Sequence, residues 1–432
     1  MNRSRLHLFL ALAASLGLAP ACGDDSSLAG TPDTSIADTS SDTSVQDSIT
    51  GDTSFPTDTN VNDTSLDTGP SDTTSDTRDP EGPLNGLKED PRFLVPGNRA
   101  AKSQIAAAGT LVAWVEDVPD GNDTIPALVV WNLVDPTVAP RVYAPPNLAN
   151  PRSLVLGPGL LVYVDDRYGD PDLFAVDLER GTERAVVTRP GAQEHPALSG
   201  NRLAYEDCSS CVTGDAEVGR EPARAVVVRA LDSGLEERFD GLDADRRPTF
   251  GTLDDRPVLA WISGRALALK RLDSVDPELT IDLGASLGAE AEVAAVAVWR
   301  DALAFRPKPL IVNPDSMIVN PDSMYPSDVF VAALDGSVTR LTTHAELAQG
   351  MDPTLRVPGL SGAADAALTW LESTPGDPAL GRLRVWRSAA STVVELRGLD
   401  AFAVGTSLLA FTAPRADNDG ASDVHVLLGE LP

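Results

Sequence analysis

Seven times in this chain a short apolar run ends in a small or β-branched residue followed by an aromatic one. The pairs are Ala113-Trp114, Val162-Tyr163, Ala204-Tyr205, Ala260-Trp261, Ala304-Phe305, Thr369-Trp370 and Ala410-Phe411. Successive aromatics stand 49, 42, 56, 44, 65 and 41 residues apart. Self-similarity at such a spacing restricts a chain to stacked or radial repeat architectures, because one unit of this size cannot bury its own apolar surface. The flanks of each pair supply the unit's grammar. In the third unit His195 to Ser199 reads as strand A, Gly200-Asn201 as a two-residue hairpin turn, Arg202 to Asp207 as strand B, Ala223 to Leu231 as strand C and Leu235 to Phe239 as strand D. The second unit repeats it as Ser153 to Leu156, Leu160 to Val164, Leu173 to Leu178 and Thr182 to Val187.

Short strands rich in Val, Leu and aromatics, separated by turn residues every 8–12 positions, predict an all-β fold. Four-stranded units at these intervals predict a seven-bladed β-propeller of antiparallel blades over residues 91–432. The last unit has only three strands, Ala401 to Val404, Ser407 to Ala413 and Asp423 to Gly429. An apolar piece, Arg92 to Val95, precedes the first unit and is expected to become strand D of the last blade, since an open blade would leave an unpaired edge.

Residues 1–90 are of another kind. Arg3 and Arg5 followed by an apolar run from Leu6 to Leu18 have the shape of a signal peptide over residues 1–21. From Gly23 to Thr77, 36 of 55 residues are Asp, Ser or Thr, 12 are Asp and none is Lys or Arg, so this stretch cannot bury enough apolar surface to fold. Residues 22–90 are expected to form a disordered tether. Residues 78–432 keep 32 basic against 52 acidic residues, net −20, of the chain's −30. Such a surface repels nucleic acid.

Leu18-Ala19-Pro20-Ala21-Cys22-Gly23 resembles the lipobox of bacterial lipoproteins. The resemblance implies diacylation of Cys22 and, with Gly23 rather than Asp next, an outer-membrane address. The alternative is cleavage after Ala21, giving a soluble periplasmic or secreted protein. Asp165-Asp166-Arg167-Tyr168-Gly169-Asp170-Pro171-Asp172-Leu173-Phe174 and the strands from Pro196 to Asp207 resemble the repeat of TolB-like propellers. The match covers units two and three closely and the others in outline. TolB's extra N-terminal domain is replaced here by the tether, so a role in the Tol system is not implied.

The A–B turns read as short and the B–C loops as long: Asp117 to Thr124, Asp165 to Pro171, Asp207 to Glu221, Arg306 to Ser327, Glu372 to Leu380 and Pro414 to Ser422. Long loops on a rigid scaffold commonly carry binding. The binding candidates on that face are Asp117, Asp165, Asp166, Asp207, Glu372, Asp417 and Asp419. Solvated carboxylates would look the same. Asp417-Asn418-Asp419-Gly420 offers some of the oxygens calcium needs but lacks the full spacing, so no metal site is assigned and calcium is the one cofactor considered. With Cys22 spent on lipid, Cys208 and Cys211 form an even pair in an oxidising compartment and are expected to make a loop disulfide; zinc would need two further ligands. Gly284-Ala285-Ser286-Leu287-Gly288 fits the G-x-S-x-G nucleophile pattern but falls between strand D and strand A, as a chance match. The heptad Ile311 to Met317 recurs unchanged as Ile318 to Met324, which marks a tolerant loop.

With no assembled catalytic set, the expectation is a non-catalytic envelope lipoprotein whose B–C face binds a protein or glycan, touching the membrane only through its lipid. The alternative is a glycan-active enzyme with a carboxylate pair in the propeller funnel; a third is the non-catalytic partner of a separate peptidase.

Overall fold

The computed structural model describes residues 93–94, 102–208, 224–241, 247–275, 278–287, 292–308, 311–313, 318–319, 328–342, 355, 367–374, 377–386, 396–399, 401–405, 408–414 and 422–428. The chain divides into residues 1–76 and 77–432, and all described residues belong to the second unit. The signal-peptide, Cys22 and tether readings lie outside the described residues.

The fold is a seven-bladed β-propeller. Each blade is an antiparallel sheet, in the order A-B-C-D in the six whose four strands are described. Blade 1 comprises Lys102–Ala108, Leu111–Asp120, Asp123–Asn132 and Arg141–Tyr143. Blade 2 comprises Arg152–Gly157, Leu160–Asp165, Asp172–Asp177 and Thr182–Val187, and blade 3 Ala192–Ser199, Arg202–Cys208, Arg224–Ala230 and Glu236–Gly241. Blade 4 holds Thr249–Leu253, Arg256–Ser263, Ala266–Arg271 and Leu279–Asp282, and blade 5 Val293–Trp299, Ala302–Pro307, Phe330–Ala333 and Val338–Arg340. In blade 6 the described strands are B, C and D: Leu368–Thr374, Asp377–Trp386 and Leu396–Leu399. Blade 7 takes Ala401–Val404, Leu408–Pro414 and Ser422–Leu428, and Phe93–Leu94 completes it as strand D. Phe93 pairs with Leu427 and Leu94 with Val426, as expected from the apolar piece ahead of unit one.

Seven apolar clusters, one between each pair of neighbouring blades, close the ring. They explain the repeated pair. Every strand-B aromatic packs toward the preceding blade, and in six of the seven blades the residue before it packs toward the following one; Thr369 is buried but polar. Trp114 thus shares a cluster with Ala410 of blade 7, while Ala113 shares one with Tyr163 of blade 2. Ala204 meets Trp261, Ala304 meets Trp370 and Ala260 meets Phe305 in the same way. Each interface therefore receives one ring from one side and, in most cases, a methyl from the other, which fills the gap at native density. Both faces of strand B are buried, so it reads as an unbroken apolar run.

The A strands of neighbouring blades pack on one another, so their free edges line the axis. At the short-turn face blade 7 comes close to blade 1: a Cβ on Gly405 would stand 2.7 Å from the carbonyl oxygen of Gly109, which requires glycine there.

Two B–C connections differ from the sequence reading. In blade 1 strand B continues to Asp120 and strand C begins at Asp123, in register Asp120↔Asp123. In blade 6 the strands run to Thr374 and from Asp377. The expected long loops Asp117 to Thr124 and Glu372 to Leu380 are thus extended hairpins; their Pro, Gly and Asp content reads as loop although the residues still pair across the ladder. The one helix among the described residues, Gly284–Leu287, is a single turn between blades 4 and 5 and carries the G-x-S-x-G match. No described helix is long and apolar enough to cross a membrane.

Candidate functional site

The acids singled out in the sequence do not form one displayed surface. Asp165 is buried at the end of strand B in blade 2. Its Oδ2 accepts the backbone N–H of Ala149 and Asn150, both at 3.0 Å, and its Oδ1 accepts from the Arg167 N–H at 3.1 Å and Nε at 2.8 Å. Arg167 also donates to both oxygens of Glu183 at 2.9 and 3.0 Å and to the Tyr163 hydroxyl at 2.8 Å, and its guanidinium lies 4.0 Å from the Phe174 ring centroid. The D-R-x-G-x-x-D segment is thereby a fastener: Asp165 ties the loop to the link from blade 1, Asp170 accepts from the Gly191 N–H at 3.0 Å, and Asp172 from the Arg189 N–H at 3.3 Å. Burial, with Asp170, Asp165 and Asp166 nearby, pushes the Asp172 carboxyl up to about 6.

Asp207, buried in blade 3, takes a bond from Arg238 and one from Gln193 Nε2 at 3.5 Å. Glu372, buried in blade 6, accepts from the Trp370 indole at 2.9 Å and from Arg384 Nε at 2.6 Å. Glu116 accepts from the Trp114 indole at the same 2.9 Å, so blades 1 and 6 share one device for satisfying a buried indole. Asp117 is exposed on the blade 1 hairpin. Asp417, Asp419 and Cys211 lie outside the described residues; Cys208 is buried and disulfide-bonded. Among the described residues no group of three or more His, Cys, Asp and Glu side chains is placed to hold a metal ion.

What the structure gathers instead is a polar arc on the inner strands of blades 1 to 3. Each of these A strands carries a β-bulge, between Ser103 and Ile105, between Arg152 and Val155, and between Glu194 and Ala197. In each bulge one non-glycine residue is left-handed: Gln104 at φ 50, Ser153 at φ 50 and His195 at φ 51. Such conformations cost on the order of 1 kcal/mol or more each and gather at working sites. All three stand four residues before the last residue of their strand, at the B–C end of the axis.

The bulges are cross-linked. Gln104 Oε1 accepts from the Ser153 N–H of the next blade at 3.1 Å. Arg152 donates to Asp166 Oδ1 at 2.7 Å and to Glu194 Oε1 of blade 3 at 3.1 Å. Burial works against the Arg152 charge, but the bonds to these two carboxylates outweigh it and hold its pKa above the ordinary value. Asp166 Oδ2 accepts from the Asn150 amide at 3.0 Å, while Oε2 of Glu194 takes no hydrogen bond from the described residues. A partly solvated guanidinium is thus held between two carboxylates, on strands whose bulges carry a histidine, a serine and a glutamine. That set can bind hydroxyl groups and move protons.

Of these residues the sequence reading named Asp166 as a site and took His195 for an ordinary strand residue. Arg152, Glu194, Gln104 and Ser153 were missed. Aligning the units on their A–B turns would have brought Gln104, Ser153 and His195 into one column.

No protein-family model matches the chain, and no curated protein matches it. Solved structures do. The β-propeller domain of the Trilobed protease from Pyrococcus furiosus is similar over 77% of this chain and 97% of its own, at 12% identity and TM-score 0.50. An oligogalacturonate lyase from Vibrio parahaemolyticus is similar over 77% of this chain and 92% of its own, at 11% identity and TM-score 0.52. A puromycin-hydrolyzing peptidase of Mycobacterium tuberculosis is similar at 15% identity and TM-score 0.50, and the chain spans 55% of its length. Likeness at these identities establishes the fold. It also corrects the expectation of a non-catalytic disc. These neighbours are enzymes or their propeller domains, and the lyase is matched over nearly its whole length. The non-catalytic binding role therefore has no support.

Proposed function

We propose that this chain is an extracytoplasmic enzyme of acid–base chemistry on glycans, working at the axial mouth of blades 1 to 3. The observation that carries the reading is the Asp166–Arg152–Glu194 bridge between adjacent inner strands, set among three left-handed polar residues. Because one guanidinium joins them, the two bonded oxygens stand within about 8 Å, and paired carboxylates in glycoside chemistry stand roughly 5–9.5 Å apart. In this reading one carboxylate takes a proton from the incoming water or the sugar, and the other must first take up a proton before it returns one to the leaving oxygen. Arg152 fixes their spacing, and Gln104, Ser153 and His195 hold ring hydroxyls. The lyase neighbour is named for oligogalacturonate, and a glycan substrate is carried here as a proposal from that likeness in fold.

The same proposal places the repeats among TolB-like propellers and the protein on the outer membrane, held by acylated Cys22. Support comes from the residues around Cys22 and from the Asp165-to-Phe174 motif.

The test is turnover of a panel of end-labelled neutral, amino-sugar and galacturonate oligosaccharides by the full chain. Glu194→Gln and Asp166→Asn are each expected to lower the rate by about 100-fold or more, with the fold intact by circular dichroism. No product from any of the panel, or variants as active as the parent, would remove the reading. Labelling cells with an alkyne palmitate tests the anchor separately, and Cys22→Ser is expected to abolish the label.

A further inference from the structure

Tyr168 plays no part in the reading above. It lies in the B–C loop of blade 2, two residues on from Asp166, and among the described aromatic side chains it is the one that is exposed, at 70%. A lone exposed apolar side chain is ordinary on a protein surface. Two features set this one apart: it is held in place, and it stands beside the bridge.

The backbone holds it first. Asp166 to Gly169 closes as a turn, the Gly169 N–H donating to the Asp166 carbonyl at 2.8 Å, with Gly169 at φ 105, where a side chain would be strained. The Tyr168 ring then rests against Phe174, with centroids 5.8 Å apart and planes at 53°. Phe174 is itself buried and clamped. Tyr163 stacks on it at 5.8 Å, and the Arg167 guanidinium lies 4.0 Å from its centroid. Arg167 is fixed in turn by Asp165 and Glu183. A tyrosine supported in this way has little rotamer freedom left to lose when a ligand covers it, which favours binding.

The same turn carries Asp166, which Arg152 of the inner strand bonds at 2.7 Å. With two peptide units between them, the Cα atoms of Asp166 and Tyr168 stand within about 7.6 Å of each other. That separation is comparable with the step between neighbouring rings of an oligosaccharide. The C–H face of a pyranose is apolar and faintly positive, and the face of an aromatic ring is negative. We propose that Tyr168 is a stacking platform for the sugar unit next to the one at the Asp166–Arg152–Glu194 bridge, so that the site takes oligosaccharides rather than single sugars. The proposal rests on the glycan reading of that bridge and extends it outward, from the inner strand of blade 2 toward strand C.

The test is calorimetric titration of the full chain, in its Glu194→Gln form so that ligand is not consumed. The probes are a neutral, an amino-sugar and a galacturonate tetrasaccharide, each beside its monosaccharide. Tyr168→Ala is expected to weaken binding of the tetrasaccharide the chain takes by about tenfold or more, while Tyr168→Phe and Tyr168→Trp retain it. The matching monosaccharide should bind more weakly and be indifferent to Tyr168. In turnover by the chain with Glu194 intact, Tyr168→Ala should raise KM with kcat little changed. Its thermal midpoint should match the parent's, because the side chain is exposed. Unchanged affinity in Tyr168→Ala, no retention by Phe or Trp, or a monosaccharide bound as tightly as its tetrasaccharide overturns the proposal and leaves the acid–base reading standing. Binding that depends on Tyr168 without turnover by the parent removes the acid–base reading and keeps the platform. No binding of any probe overturns it.

Discussion

The two sides of the ring solve the same packing problem with different inner edges. On blades 1 to 3 the A strands begin Lys102-Ser103-Gln104, Arg152-Ser153 and Ala192-Gln193-Glu194-His195, bulge, and carry left-handed residues. On blades 4 and 7 the A strands run in regular register, with Phe250 and Phe402 near the same level. Blade 5 has a bulge between Val293 and Ala295 but no left-handed non-glycine residue in it. Both sides share the small-plus-aromatic interface, so the difference is not one of scaffold. A repeat whose stability comes from its flanks leaves its axial edge open to specialisation, and here that has happened on one arc.

This comparison can be tested where each side is most exposed to error. The largest effects should be equal in size and different in kind. Phe305→Ala, in the apolar core between blades 4 and 5, should cost about 3–5 kcal/mol through the cavity it leaves. Arg167→Ala should cost a similar amount, about 3–5 kcal/mol, because it strands the buried Asp165 beside Glu183. Urea unfolding of both settles the point: if Arg167→Ala is nearly neutral, the Asp165–Arg167–Glu183 fastener of blade 2 is decoration on an apolar frame.

A smaller effect should appear in the pH dependence. The Asp172 carboxyl is raised to about 6 from an ordinary value near 3.8, chiefly by burial. Between these values the native state binds more protons than the unfolded one, so stability is greatest below about pH 4 for this group and falls as pH rises to about 6. Asp172→Asn should remove that slope and gain on the order of 1–2 kcal/mol at pH 7, read from thermal midpoints at pH 4.5 and 7. An unchanged slope would mean that Asp172 is better solvated than its burial indicates.

The smallest effect separates the bulges themselves. Ser153→Gly relieves a left-handed β-carbon and should be neutral to about 1 kcal/mol stabilising. Ala294→Gly, in the blade 5 bulge without a positive φ, should cost about 0.5–1 kcal/mol. The same substitution with opposite signs would confirm that the bulges of blades 1 to 3 store strain that the blade 5 bulge does not.

Much of the fold was legible in the sequence because its signals are local. The alternation of small and aromatic residues, the Gly200-Asn201 turn and the apolar piece at Phe93 each announce a strand or its end within a few residues. The extended hairpins of blades 1 and 6 were hidden because Pro119, Gly121 and the surrounding acids carry loop composition while still pairing. The site was hidden for a different reason. Arg152 and Glu194 are 42 residues apart and meet because neighbouring inner strands touch. Nothing about glutamine, serine or histidine signals a positive φ, as a glycine or asparagine would. The acids that did attract attention, Asp165, Asp207 and Glu372, are prominent in sequence because they stand at or just before the end of strand B, and in the structure they are bonded to cations or backbone amides there.

The last blade is completed by two residue pairs, Phe93 with Leu427 and Leu94 with Val426. The chain N-terminal to them is also the part that carries Cys22. Among the described residues, a load drawn along that leader meets first this two-pair ladder, the briefest of the blades. Under tension the clasp at blade 7 would yield before any interblade core is pulled apart, which would make ring opening, rather than unfolding, the first mechanical event.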